Sequence, residues 1–147
     1  VTQLLYLNNL SNDPIDIYIN SSGGFVIDGL SIIDTINLIK SPVNTICTGL
    51  AASMGAVLLS CGKKGSRAVL PHSRVMIHQV SSGMWGTFSD LEIELKQTER
   101  CKQDIYKILA ENLNKPYEEI EKLCDRNNWF IGQEAVDLGI VDKVLCK

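Results

Sequence analysis

Val43-Asn44-Thr45-Ile46-Cys47-Thr48-Gly49-Leu50-Ala51-Ala52-Ser53-Met54-Gly55-Ala56-Val57-Leu58-Leu59-Ser60 decides how the chain is read. Val43 to Thr48 reads as a strand, Gly49 to Ala52 as a small-residue turn and Ser53 to Ser60 as a short apolar helix. Working back, Asp28 to Lys40 has the spacing of a helix with Leu30, Ile33, Ile36 and Leu38 inward. Ile15 to Ile19 alternates with period two, and Val1 to Leu10 is helical in spacing up to the breakers Ser11-Asn12-Asp13-Pro14. Working forward, Arg67 to Leu70 and Arg74 to Ile77 are short strands. A glycine-bearing loop, Val80 to Thr87, leads into a long amphipathic helix from Ser89 to Asn112, with Leu91, Leu95, Ile105, Ile108 and Leu109 at three- or four-residue spacing. Pro116 opens another helix, and Gln133 to Leu138 is a last one, stopped by Gly139 before a strand from Ile140 to Val144. Strands alternating with helices predict an α/β fold with a largely parallel sheet covered on both faces.

The 147 residues suit one compact domain spanning 1–147, large enough to fold without a disulfide or metal staple. A 45% hydrophobic content excludes a disordered chain, and a net charge of −3 argues against nucleic acid or an anionic membrane as the main partner. The five cysteines form no C-x-x-C pair and have no histidine close by in sequence, so they read as reduced thiols rather than zinc ligands. No apolar run is long enough for a membrane span, and the start shows no signal-peptide pattern. The absence of an initiator Met suggests a processed or incomplete chain.

Three places combine reactive groups with backbone freedom. Ser53 stands where a helix begins, among unpaired N–H groups and the positive end of the helix dipole, although an N-cap serine would occupy the same place. Gly23-Gly24 follows a strand and can turn an N–H outward as an anion donor, or can simply make a turn. His78 ends an apolar strand beside a glycine-bearing loop, where a structural histidine is the alternative; His72 sits in a turn and reads as structural. Neither phosphate-binding glycine pattern occurs, so no nucleotide cofactor is expected on this chain, and any ATP would be used by a partner.

Taken together, these segments resemble the Clp protease proteolytic-subunit family. Ala51-Ala52-Ser53-Met54-Gly55-Ala56 is similar to its nucleophile motif and Arg74-Val75-Met76-Ile77-His78-Gln79 to its histidine motif. The likeness continues through Ile19 to Gly24, Gly62 to Gly65 with Leu70-Pro71, and Glu134 to Asp142. The resemblance implies a crotonase-like α/β fold of repeated β-β-α units, with a protruding handle at about residues 80–112. It implies a serine endopeptidase that hydrolyses unfolded polypeptides through an acyl-enzyme, with Ser53 as nucleophile, His78 as general base and the N–H groups of Gly24 and Met54 as oxyanion hole. Phe25 and Val26, and Gln79 with the loop after it, would flank an extended substrate. Heptameric rings stacked as a tetradecamer are implied, served by an AAA+ unfoldase such as ClpX, ClpA or ClpC, in the cytoplasm or in an organelle matrix or stroma. Family members carry an axial-pore loop, a strand and a helix before the segment that Val1 resembles.

Three positions depart from the family pattern. Ser22 replaces the proline of the Ser-Pro-Gly-Gly turn, and Val80 replaces the proline after His-Gln. Counting back from Glu134-Ala135 places Asn127 where the family has its catalytic aspartate, with Asp125 two residues away as a substitute. Asparagine can hold an imidazole through its oxygen but supplies no negative charge. The reading is therefore a working peptidase subunit. The alternative is a weakly active or non-catalytic structural subunit paired with a second paralogue. A crotonase-type acyl-CoA enzyme is disfavoured by the serine–histidine pairing.

Overall fold

The computed structural model describes residues 1–146. In chain order they form α1 (Thr2–Leu10), β1 (Ile15–Ser21), α2 (Val26–Leu38), β2 (Val43–Ala52), α3 (Met54–Ser60), β3 (Arg67–Val69), β4 (Arg74–Ile77), α4 (Phe88–Leu113), α5 (Tyr117–Leu123), β5 (Asn128–Ile131), α6 (Gln133–Leu138) and β6 (Lys143–Val144). The strands make one sheet in the order β5-β4-β2-β3-β6, with β1 also paired to β2. The β1–β2, β2–β3, β2–β4 and β3–β6 pairs are parallel, and β4–β5 is antiparallel. This is the expected α/β class.

β2 is the spine of the sheet, and the turn expected at Gly49 to Ala52 is instead its second half. The strand pairs with β3 through Thr45–Cys47 and then with β4 through Leu50–Ala52, so two short strands share one of its sides. Gly49, at φ 134°, makes the change of neighbour possible in a conformation that side chains rarely adopt. Side chains replace the missing ladder bonds there. Gly49 N donates to Ser73 Oγ at 2.8 Å, Ser73 Oγ donates to Cys47 O at 3.0 Å, and Leu50 N donates to Asn20 Oδ1 at 3.2 Å. Small residues in sequence therefore marked a bend within a continuing strand, because the polar groups that a turn would expose are satisfied in place.

The main core joins the inner faces of β1, β2 and β4 to α3 and the second half of α4, through Ile19, Ala51, Val57, Ile77, Ile105 and Leu109. α3 is buried on nearly every side, which explains its uniformly small and apolar sequence. α4 is amphipathic only over its second half. Ile105, Tyr106, Leu109 and Leu113 are buried, whereas Leu95 is exposed and Leu91 half-buried, so the fully buried side chains of the helix all lie in its second half. Its start is fixed by a capping box between Thr87 and Asp90.

Three further boundaries differ from the sequence reading. α2 starts two residues earlier and ends at Leu38, whose side chain is exposed rather than inward, because the chain turns extended at Ile39. Ile140 and Val141 are buried but belong to the exit from α6, so β6 comprises only Lys143 and Val144. β5 was not anticipated; its partners lie more than fifty residues away on β4.

Arg67 and Asp142 tie the far end of this framework together. The guanidinium, almost fully buried, donates from Nη2 and Nε to Asp142 at 2.7 and 3.0 Å and from Nη1 to Asn112 O at 2.9 Å. Asp142 Oδ2 also accepts from Gly65 N at 2.7 Å and Arg67 N at 3.0 Å. One ion pair thus joins β3, the exit from α6 and the C-terminal end of α4.

Candidate active site

The strand directions bring the sequence-singled residues to one end of the sheet. β1, β2 and β4 are mutually parallel, so the residues following each of them, Ser22–Gly24, Ser53 and His78, leave the sheet at the same edge. β5 runs the other way, so the residue before it, Asn127, is at that edge as well. Ligand sites of parallel sheets lie beyond such carboxyl ends.

Ser53 connects β2 to α3 with φ 53° and ψ −123°; among the described residues only Asn114 is another non-glycine residue with positive φ. The strain is held by surrounding bonds. Ser53 N donates to Met76 O at 2.9 Å, and Ser53 O accepts from Ala56 N at 2.9 Å and Val57 N at 3.2 Å. A sharp, strained strand-to-helix turn presents a hydroxyl clear of its own backbone. Gly23 packs directly against this turn. A Cβ on it would lie 2.7 Å from Ser53 Cβ and 2.8 Å from Ala52 O, and its φ is 97°. Gly24, by contrast, has open space where a Cβ would be.

His78 Nε2 lies 2.9 Å from Ser53 Oγ, and both residues are half-buried. For the hydroxyl to donate, Nε2 must carry the lone pair and Nδ1 the proton. Nδ1 has no hydrogen-bond partner among the described residues. Asn127 would be next opposite His78 if the β4–β5 ladder, which ends at Ile77↔Asn128, ran one pair further. The two line one open cleft with Asp125, but the exposed Asn127 amide makes no hydrogen bond to the ring. Asp125 likewise makes no hydrogen bond to the ring among the described residues; its carboxylate faces exposed Arg126 at 3.8 Å.

Gly24 and Met54 line the same pocket as Ser53 and His78, and neither backbone N–H has an acceptor among the described residues. Val26 joins Val57, Ile77, Ile105 and Leu109 in lining an apolar pocket beside Ser53 and His78, while Phe25 is 83% exposed next to it. Gln79 borders this pocket, yet its side-chain amide is engaged: Nε2 donates to Asp125 O at 2.6 Å. Beneath the same loop, burial pushes the Cys124 thiol up to about 12, which keeps it protonated and unreactive. The steric role of Gly23 and the Ser73 and Asn20 braces were not legible as site features; a glycine pair after a strand was the one local signal.

A hydroxyl in a strained turn facing an imidazole, with two free amides beside it, is the constellation of serine-type acyl transfer. Comparison with known proteins agrees in kind. The family model described as Clp protease matches residues 1–147. The chain is 51% identical over 148 residues to the ATP-dependent Clp protease proteolytic subunit of Porphyromonas gingivalis, covering 99% of this chain and 66% of that protein. It is 47% identical over 146 residues to the ATP-dependent Clp protease proteolytic subunit 1 of Salinibacter ruber, covering 99% and 63%. With the corresponding subunit of Bacteroides fragilis the identity is 48% over 148 residues, covering 99% and 70%. The chain therefore belongs to the Clp protease family, and it spans about two thirds of the length of these curated relatives.

Proposed function

We propose that this chain is a serine-type endopeptidase subunit that cleaves unfolded polypeptides through an acyl-enzyme. The single observation that carries the reading is the 2.9 Å approach of His78 Nε2 to Ser53 Oγ at a strained strand-to-helix turn. In the first half-reaction His78 Nε2 takes the Ser53 proton as Oγ attacks the scissile carbonyl. The oxygen of that carbonyl gains charge and is met by the Gly24 and Met54 amides, which the ground state leaves free. His78 then returns the proton to the leaving amine. In the second half-reaction a water is deprotonated by the same nitrogen, attacks the ester and releases the acid and free Ser53. Asn127 would assist by turning its oxygen to accept from Nδ1–H, which selects the productive tautomer without adding charge.

The apolar pocket beside Ser53 suits an apolar side chain, and the segments at Gly24–Val26 and after Gln79 suit main-chain pairing with an extended peptide. In this reading the chain works in stacked rings fed by an AAA+ unfoldase, which alone uses ATP. The exposed first half of α4, with Phe88, Ile93 and Leu95 facing outward, is the surface through which rings would interlock. No helix of the described residues is long and apolar enough to cross a membrane, and we place the enzyme in the cytoplasm or an organelle matrix. A fluorophosphonate probe tests the reading. Labelling of the wild type that disappears in Ser53→Ala supports it, and equal labelling of both proteins refutes it.

A further inference from the structure

We propose that Gln79 is a positioning residue whose side-chain amide fastens the 124–127 loop to the end of β4 and so keeps Asn127 within reach of the His78 ring. The inference rests on the reading of Ser53 and His78 as nucleophile and base. It explains why an exposed glutamine spends its amide on a distant carbonyl instead of on solvent.

The sheet brings Asn127 to the right end, but no ladder bond fixes it there. The β4–β5 ladder stops at Ile77↔Asn128, one pair short of His78 and Asn127. Beyond that point one hydrogen bond between described residues joins the two segments: Gln79 Nε2 donates to Asp125 O at 2.6 Å, across 46 positions of sequence. The other bonds of the loop lead back to α5. Cys124 N donates to Ile120 O at 2.9 Å, Asp125 N to Lys122 O at 3.4 Å and Asn128 Nδ2 to Leu123 O at 3.3 Å. Without Gln79 the loop would follow α5, not the strand that carries the imidazole.

The chemistry of an amide at position 127 makes this anchor matter. A carboxylate would find Nδ1–H by charge attraction, with a bond roughly twice as strong as a neutral one, and either oxygen would serve. An amide has no such pull, and only its oxygen end selects the Nδ1–H tautomer that leaves Nε2 free for Ser53. Backbone placement must supply what charge does not. The demand on Gln79 is therefore conditional: large when residue 127 is Asn, small when it is Asp.

The test is a double-substitution cycle in the full chain, with Gln79→Met removing the donor at similar size, Asn127→Asp supplying the charge, and the two combined. Peptide-hydrolysis kinetics, fluorophosphonate labelling of Ser53 and thermal melting are measured on each. Gln79→Met should lower kcat about tenfold with KM within about twofold and the melting temperature unchanged, and in the Asn127→Asp background its effect should shrink to about twofold. An equal loss in both backgrounds, a loss confined to KM, or no loss would overturn the proposal. ¹⁵N spectra of the two histidines, with His72→Gln to assign them, give a readout independent of turnover. The His78 ring should move from the Nδ1–H form toward a tautomer mixture in Gln79→Met; an unchanged spectrum overturns the anchor even if activity is too low to measure. Cleavage that persists in Ser53→Ala would instead refute the catalytic reading on which the anchor depends.

Discussion

Gly23 and Gly24 are adjacent, but the structure gives them different work, and substituting each by alanine separates the two. At Gly23 the backbone sits at φ 97°, and a Cβ would meet Ser53 Cβ at 2.7 Å, Ala52 O at 2.8 Å and Met54 N at 3.1 Å. Holding alanine in such a conformation costs about 1–2 kcal/mol, and contacts this short require backbone to move rather than a flexible side-chain tip. The backbone in the way is the turn that aims Ser53 Oγ at His78, so relief comes by displacing the nucleophile. A displacement of about 1 Å at a reacting group can lower the rate about 100-fold. Gly23→Ala should thus lose about 10- to 100-fold in kcat/KM while retaining a folded, assembled protein. Gly24→Ala leaves the N–H in place and adds a methyl to open space, so it should lose only about threefold, through the approach of substrate. Fluorogenic-peptide hydrolysis, with fluorophosphonate labelling and thermal melting as controls, reads both. A Gly24→Ala loss equal to or greater than that of Gly23→Ala would refute the steric argument.

Asn127→Asp should raise kcat at least about tenfold, since a negatively charged partner is what the imidazolium lacks in the transition state; unchanged turnover, with Asp125→Ala abolishing it, would move the third role to Asp125. Asp142→Ala should destabilise the fold by about 3–5 kcal/mol, because it strands a charge at Arg67 that is 4% exposed, and lower the melting temperature by about 10 °C at fixed protein concentration. Burial raises the Asp142 carboxyl, but bonds from the Arg67 side chain and backbone, the Arg67 charge and the Gly65 N–H outweigh it and hold the group below its ordinary value. The stability this supplies is present above the unfolded pKa of about 3.9 and is lost as pH falls through the folded value, so denaturant midpoints should drop in acid for the wild type and much less for Asp142→Ala. At the other extreme, burial holds the Cys124 thiol and the Tyr106 phenol neutral up to about 12. Unfolded, they ionise near about 8.5 and about 10, so their contribution is complete below about pH 8.5 and falls progressively toward pH 12, an alkaline loss that Cys124→Ala should reduce.

Much of this was legible in the sequence where local pattern and tertiary outcome coincide. Alternation gave β1, and periodicity with a terminal glycine gave α6. The small residues at 49–56 marked the approach to the nucleophile, because a strained turn packed against another backbone excludes larger side chains. The failures share a cause. Gly49 read as a turn because nothing nearby in sequence announced that Ser73 and Asn20 would satisfy the strand's orphan groups. β5 was missed because four residues carry too short a pattern, and their strand conformation is imposed by β4. Leu95 falls on the apolar face by periodicity yet is exposed, because periodicity records that a face is apolar, not which chain covers it. The Arg67–Asp142 pair joins positions 75 apart with no local trace.

The topology also explains why a serine, an imidazole and an amide so far apart in sequence converge without any loop reaching across the molecule. Parallel strands deliver their following residues to one edge, so Gly24, Ser53 and His78 arrive together through pairing alone. A fourth parallel strand would have begun at the opposite edge and could not have offered its preceding residue. The antiparallel insertion of β5 solves this, because its start coincides with the other strands' ends. The position before β5 is therefore the cheapest place in the fold from which to support His78, whichever residue occupies it. The sheet brings the start of β5 to this end, the Gln79 amide holds the loop before it, and the identity of residue 127 sets how strongly it can engage the ring. Changing Asn127 should consequently alter the rate over a wide range while leaving the Ser53–His78 distance and the sheet untouched.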